Sequence, residues 1–478
     1  MPAKPGRKPW APRWLVVTHR YVGVAMGLLM LLWFLSGIAM LFAHWPEVRD
    51  EDRAAGLRPI AWGQCCAFGD VQDVQQVMAA RVEDLAGRPV LRFDGQVLDL
   101  TTGQPAHHVT SGEAAAVATA YAEGHGIAGR PGMARAVERD QWTVTGYFNK
   151  ARPFYVFAFD DPARTDVYVS AKTGQVAQAV DRAGKIGAWL GPIPHWLYPE
   201  ILRADTKLWA QVVIWTSVIG TFLTVTGLYL GVVSWRPWRD ARLTPFRGWM
   251  AWHHLSGLAA GILTLTWVAS GLLSMNPWGL LESDGDPRVE QVAGAVSFGD
   301  LREALLAARA AGVAARRIEA APLGGQIFLM ADGKRLDAAG RPAPLAAGDL
   351  AAAARRLGAA RSAELLTTED QYYRGHHEPV RLPVYRVILT DGLRVYLDPA
   401  SGRVRGALDG TAVSYRWWFE GMHRLDFIDG FDRGAGWAAA MVLLLLAAAL
   451  GVATGVWLGF RRARDDLARV GRKAPKLG

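Results

Sequence analysis

The sequence predicts a membrane protein with an α-helical four-helix core and two inserted α+β domains. Three observations predict it. Four apolar stretches are each long enough to span a bilayer, two long polar segments separate them, and the second half of the chain repeats the first. Hydrophobic residues make up 51% of the 478, yet mean hydropathy is only +0.09. The apolar residues are therefore concentrated, as in a chain that alternates membrane and aqueous parts.

The apolar stretches are 14–43, 208–233, 250–275 and 435–460. Each exceeds the roughly 20 residues that cross a hydrocarbon core. The first runs straight into a polar segment with no small-residue cleavage site, so it reads as a retained anchor. Basic residues set the orientation. Lys4, Arg7, Lys8 and Arg13 lie in or beside the N-terminal segment 1–13. Arg236, Arg239, Arg242 and Arg247 lie in the short loop 234–249. Arg461, Arg462, Arg464, Arg469, Arg472, Lys473 and Lys476 fill the tail 461–478. With four spans all three flanks face one side, and cationic short loops stay in the cytoplasm. Segments 44–207 and 276–434 then lie outside. These flanks account for most of the net charge of +9, so the charge does not indicate nucleic-acid binding.

The duplication is readable residue by residue. Moving WLVVTHRYVGVAMGLLMLLWFLSG (14–37) forward by 234 positions brings His19 to His253, Gly23 to Gly257 and Gly27 to Gly261. It also brings Trp33 to Trp267 and Ser36-Gly37 to Ser270-Gly271. A shift of 228 brings His195 to His423 and Thr226-Gly227 to Thr454-Gly455. Glycine and serine matches are accounted for by helix packing. A histidine in an apolar span is expensive without a partner, so it marks function.

The polar segments repeat too. Leu98-Asp99, Gly103 and Pro105 match Leu336-Asp337, Gly340 and Pro342. An alanine-rich helical stretch follows in each (111–121 and 348–357), then Asp140-Gln141-Trp142 or Asp370-Gln371-Tyr372, then two alternating runs that read as a strand hairpin. Each segment is expected to be a small domain with a helix on an antiparallel sheet. Cys65 and Cys66 are adjacent. Bridging neighbours is geometrically strained, so they are expected to be free thiols or to pair between molecules.

The paired membrane segments, the repeated Tyr…Thr/Ser-Gly-x-Val hairpins and the stretch Met422-His423-Arg424-Leu425-Asp426-Phe427 together resemble the PepSY-associated transmembrane family. The resemblance covers residues 14–460. The best understood members are similar to bacterial inner-membrane ferric-siderophore reductases with two b-type haems beneath PepSY-like periplasmic domains. It implies an oxidoreductase of the inner membrane that passes electrons across the bilayer to a ferric siderophore or other iron chelate.

On this reading His19 and His253 enter their spans at matching depth and would hold one haem b. His254 competes with His253, one ligating while the other meets a propionate. His195 and His423 each stand 31 residues before their Thr-Gly, roughly 46 Å as one helix, more than a core of ~30 Å. They are expected at or above the external face, on short helices that fold back near Pro192, Pro194 and Pro199, holding a second haem. His44 is an alternative ligand. His376-His377, with Arg374 and Glu378, read as an exposed loop, and His107, His108 and His125 have no assigned role. No Walker, dinucleotide or hydrolase motif is present, so electrons would come from a cytoplasmic donor protein or a quinol. Two other readings use the same segments: a haem-free PepSY protein that binds peptides or regulates an envelope protease, and a transporter. Neither needs paired histidines.

Overall fold

The computed structural model describes residues 11–69, 71, 77, 79–93, 95–106, 108–235, 243–375, 380–427 and 434–473. The chain divides into two compact units. One comprises residues 1–45, 186–282 and 414–478; the other comprises 46–185 and 283–413.

The first unit is built on four helices long and apolar enough to cross a membrane: α1 (Arg13–Met40), α2 (Thr206–Ser234), α3 (Trp249–Ser274) and α4 (Ala435–Lys473). Between Arg20 and Met40, α1 has no charged side chain, so it finds no favourable exposure to water. Asp205 caps α2 by accepting from the amides of Lys207 and Leu208, each at 3.0 Å. Helix α1 packs against α4 and α2, and α3 packs against the same two, closing a ring.

Glycine makes the close crossings. A Cβ on Gly27 would stand 2.5 Å from Val456, and one on Gly459 2.6 Å from Val24. The α2–α3 crossing uses the same device, with 2.5 Å from Gly261 to Leu228 and 2.9 Å from Gly231 to Leu258. Small residues that let helices approach are the membrane counterpart of an apolar core. Met26, Met30, Phe34, Leu223, Trp267, Met441 and Leu445 fill the middle. There the rings of Phe34 and Trp267 meet edge-on at 6.0 Å.

The second unit holds fifteen strands among the described residues. The first segment supplies β1 (Arg81–Leu85), β2 (Arg88–Phe93), β3 (Gln96–Asp99), β4 (Gln104–Pro105), β5 (Arg135–Val137), β6 (Phe154–Ala158), β7 (Asp166–Ser170) and β8 (Val176–Val180). The second supplies β9 (Arg317–Ala320), β10 (Leu329–Ala331), β11 (Lys334–Leu336), β12 (Ala360–Leu366), β13 (Val384–Leu389), β14 (Arg394–Leu397) and β15 (Val404–Leu408). Strands β5–β8 and β12–β15 form two antiparallel sheets. The helix Ser111–Gly124 packs on the first, its Thr110–Glu113 box satisfying the first turn. In each sheet a buried tyrosine reaches the aspartate of the repeated tripeptide: Tyr168 donates to Asp140 at 2.7 Å, and Tyr396 to Asp370 at 3.0 Å.

The two segments are not separate domains, contrary to the expectation from sequence. Strand β1 pairs with β9, matching Arg81 with Glu319, Val82 with Ile318 and Glu83 with Arg317, and this joins β1–β4 to β9–β11 in one seven-stranded sheet. Strands of five and four residues, as β1 and β9 are, leave too little periodicity to read locally, and their pairing is non-local. Glu83 is buried at this junction, bonded to Arg92 and Gln175 and near Arg81 and Arg317. Burial pushes its carboxyl up, but the guanidiniums outweigh that and hold it below its usual range.

Cys65 and Cys66 are neither free nor paired between molecules; they form a disulfide with each other. The peptide between them is cis, and their α-carbons stand 3.1 Å apart. His107 and His376-His377 with Glu378 lie outside the described residues.

Candidate functional site

Four of the histidines singled out from sequence meet in two pairs within the helical unit. His19 on α1 and His253 on α3 have ring centres 6.4 Å apart. His195 and His423 have ring centres 6.1 Å apart. His195 stands in the short helix Pro192–Trp196 and His423 in the turn Met422–Arg424. Each turn ends in a leucine with positive φ, Leu197 at 53° and Leu425 at 55°, which reverses the chain so that the histidine points back into the unit. Their rings touch α1 at Ser36 and α3 at Ser270, one turn inside the C-terminal ends of those helices. Both histidines thus stand on short helical turns that fold back onto the ends of α1 and α3.

Each ring is held through Nδ1. His195 meets the carbonyl of Trp33 at 3.1 Å and the hydroxyl of Ser36 at 3.3 Å. His423 meets the hydroxyl of Ser270 at 3.0 Å. His19 meets Thr226 on α2 at 3.3 Å. His253 meets the carbonyl of Gly451 on α4 at 3.1 Å and Thr454 at 3.5 Å. Carbonyl oxygens only accept. All four hydroxyls are already donating to a carbonyl of their own helix, so they too accept from the ring: Ser36 to Leu32, Ser270 to Trp267, Thr226 to Leu223 and Thr454 to Gly451. Where Nδ1 faces a carbonyl, at His195 and His253, it carries the proton and the lone pair is on Nε2; the hydroxyls at His19 and His423 suit the same tautomer. No described residue hydrogen-bonds to Nε2 of these four rings.

His254 does not join a pair. Its Nε2 meets the carbonyl of Gly231 at 2.9 Å, Phe246 packs against its ring at 5.2 Å, and its Nδ1 is buried with no hydrogen-bond partner among the described residues. Adjacent helical residues point about 100° apart, so only one of the doublet can face His19. His44 takes part in neither ring pair. The glycines on the histidine face of α1 and α3 differ in use. Gly27 and Gly261 receive side chains from neighbouring helices, while Gly257 faces open space.

Two features of the site escaped sequence reasoning. The serines and threonines of the Ser-Gly and Thr-Gly pairs are ring partners, although the duplication had marked them. A buried ion pair also brackets His423: Arg416 donates to both oxygens of Asp426, at 3.0 and 2.9 Å. Arg416 opens a turn of π-helix, Arg416–Gly421, of a kind that occurs at functional sites. The signal available was a charged pair in an apolar, aromatic stretch.

No model of a known protein family matches the chain, and no curated protein matches it significantly.

Proposed function

We propose that the protein is a membrane cytochrome with two haem b groups, one between His19 and His253 and the other between His195 and His423. The geometry of the rings carries this reading. A metal–nitrogen bond of about 2 Å, with a ring nitrogen roughly 1.1 Å from the ring centre, separates two opposed axial imidazoles by about 6.2 Å. The observed centres stand 6.4 and 6.1 Å apart. Among the described residues no cluster of three or more His, Cys, Asp or Glu side chains could hold a metal ion, so a group held by two imidazoles would have to bring its other ligands itself, as a porphyrin does. Nδ1 held by carbonyl or hydroxyl, with Nε2 left for metal, is the usual arrangement of a ligating histidine.

A haem iron at each pair supplies one-electron chemistry. The chain's residues do the rest. The histidines ligate, and the Ser/Thr partners hold the ring plane. Phe34, Trp267 and the methionines exclude water between the levels. On α1 and on α3 the ligand histidine and the serine that holds the other histidine are 17 residues apart. That is roughly 25 Å along a helix, most of a hydrocarbon core. Two sites at such separation suit electron passage across a bilayer.

With both termini cytoplasmic, electrons from a cytoplasmic donor or a quinol would leave on the periplasmic side of an inner membrane, where a ferric siderophore or other ferric chelate accepts them. The duplicated chain and the PepSY-associated ferric-siderophore reductases it resembles support this direction and acceptor. The test is haem stoichiometry. Detergent-purified protein is expected to give two haems b per chain by pyridine haemochrome, with low-spin bands after dithionite. A colourless protein from haem-replete cells overturns the reading and favours the haem-free, peptide-binding one.

A further inference from the structure

The four places where a paired histidine meets a neighbouring helix share one local sequence. They are Leu223-x-x-Thr226-Gly227, Gly451-x-x-Thr454-Gly455, Trp33-x-x-Ser36-Gly37 and Trp267-x-x-Ser270-Gly271. In an α-helix the carbonyl of the first residue accepts the amide of the glycine four positions on. That carbonyl has a second lone pair, the hydroxyl has one to spare, and the glycine has no Cβ to block the approach. The result is a flat, acceptor-lined notch that one imidazole edge fills.

We infer that these four Ser/Thr–Gly pairs are positioning residues, each a seat that fixes the tautomer and plane of one histidine and aims its Nε2 at the opposite ring. This rests on the haem reading for its purpose but not for its geometry. The seats differ in tightness. A Cβ on Gly227 would stand 2.7 Å from Cε1 of His19, and one on Gly455 2.7 Å from Cε1 of His253. The corresponding distances are 3.4 Å from Gly37 to His195 and 3.8 Å from Gly271 to His423. Alanine is therefore excluded from the threonine seats and accommodated in the serine seats. The two pairs are held differently to match. His19 and His253 are carried by long helices that cannot yield, whereas His195 and His423 are carried by short turns.

The experiment compares four variants of the full-length protein in detergent. Thr226→Val removes the accepting hydroxyl at nearly constant volume. It is expected to weaken haem retention at the His19–His253 pair about tenfold, the lower end of what outer-shell partners of metal ligands contribute, and to alter the low-spin spectrum of that haem alone. Thr226→Ser is expected to restore both. Gly227→Ala is expected to abolish that haem's spectrum. Gly27→Ala is the packing control: its Cβ meets Val456 at 2.5 Å, as crowded as Gly227, but it touches no histidine.

Wild-type spectra and haem retention in Thr226→Val would overturn the inference, as would equal haem loss in Gly27→Ala and Gly227→Ala. A readout independent of haem separates this proposal from the one beneath it. In haem-free protein the ring-nitrogen chemical shifts of His19 and His253 are expected to report the Nδ1–H tautomer, with Thr226→Val mixing the tautomers of His19. A wild type that binds no haem yet shows this pattern sinks the cytochrome and upholds the seats. Mixed tautomers in the wild type sink the seats.

Discussion

His253 and His254 show how much one step along a helix decides. They are neighbours in an apolar stretch, and composition treats them alike. Their side chains leave the helix about 100° apart, so His253 faces His19 while His254 turns to Gly231 on α2. His19→Ala or His253→Ala is accordingly expected to lower the haem count from two to one. His254→Ala should keep both haems and lose only the hydrogen bond to Gly231, on the order of 1 kcal/mol. A haem count on the three variants decides it, and loss of haem in His254→Ala alone would reverse the assignment. Arg416 belongs to the same scale. It is 4% exposed and bound to Asp426 through both oxygens. Arg416→Met strands a buried carboxylate, which costs about 3 kcal/mol. Because the pair brackets His423, the haem at that pair should be the one whose spectrum changes. Unchanged spectra from both haems would separate the ion pair from the site.

Among the elements, the seven-stranded sheet carries most of what was unforeseen. Its β1–β9 pairing is held at Glu83, where one buried carboxylate answers Arg92, Arg81 and Arg317. Removing that negative charge strips buried Arg92 of its carboxylate, while Arg81 and Arg317 keep Asp50. Glu83→Gln is expected to destabilise this unit by about 3 kcal/mol at neutral pH, visible as faster amide exchange in β1 and β9. The pH dependence has a definite sign. A carboxyl held below its ordinary value contributes stability above its unfolded pKa of about 4.3. That contribution fades as the pH falls through the lower folded value. The wild-type unit should lose protection in acid, and Glu83→Gln should lack that part of the loss. Identical acid profiles would remove Glu83 from the account.

For the whole molecule, the expected orientation and acceptor are the quantities to measure. A periplasm-dependent reporter fused near residue 100 or residue 350 is expected to be active, since every arginine-rich flank falls on the other side. Cytoplasmic activity at either point would end the proposed topology. With dithionite-reduced protein, a ferric siderophore is expected to reoxidise the haems faster than its iron-free form, because oxygen-rich siderophores prefer the harder ferric ion. His423→Ala should slow this step and leave the His19–His253 haem reducible. Equal reoxidation in mutant and wild type would take His423 off the path.

The four long helices were legible in the chain because each is a continuous apolar run whose length matches one physical thickness, and that needs no knowledge of neighbours. The histidines were legible for a related reason: an imidazole in such a run is costly, and a second copy at the same offset makes coincidence a poor account of it. The helix Ser111–Gly124 and the hairpins β6–β7 and β13–β14 were equally local, set by a capping box and by alternation. Tertiary structure alone decided the remainder. The β1–β9 junction pairs residues more than two hundred positions apart through strands too short to show a period. The disulfide joins Cys65 and Cys66, a pairing that adjacency in the chain argued against. The choice of His253 over His254, and the use of Ser36, Thr226, Ser270 and Thr454 as ring seats, depends on which helices are neighbours and how they are turned. Local sequence controls the free energy of an element against water or lipid; the direction in which one side chain meets another is a property of the packed ring of helices.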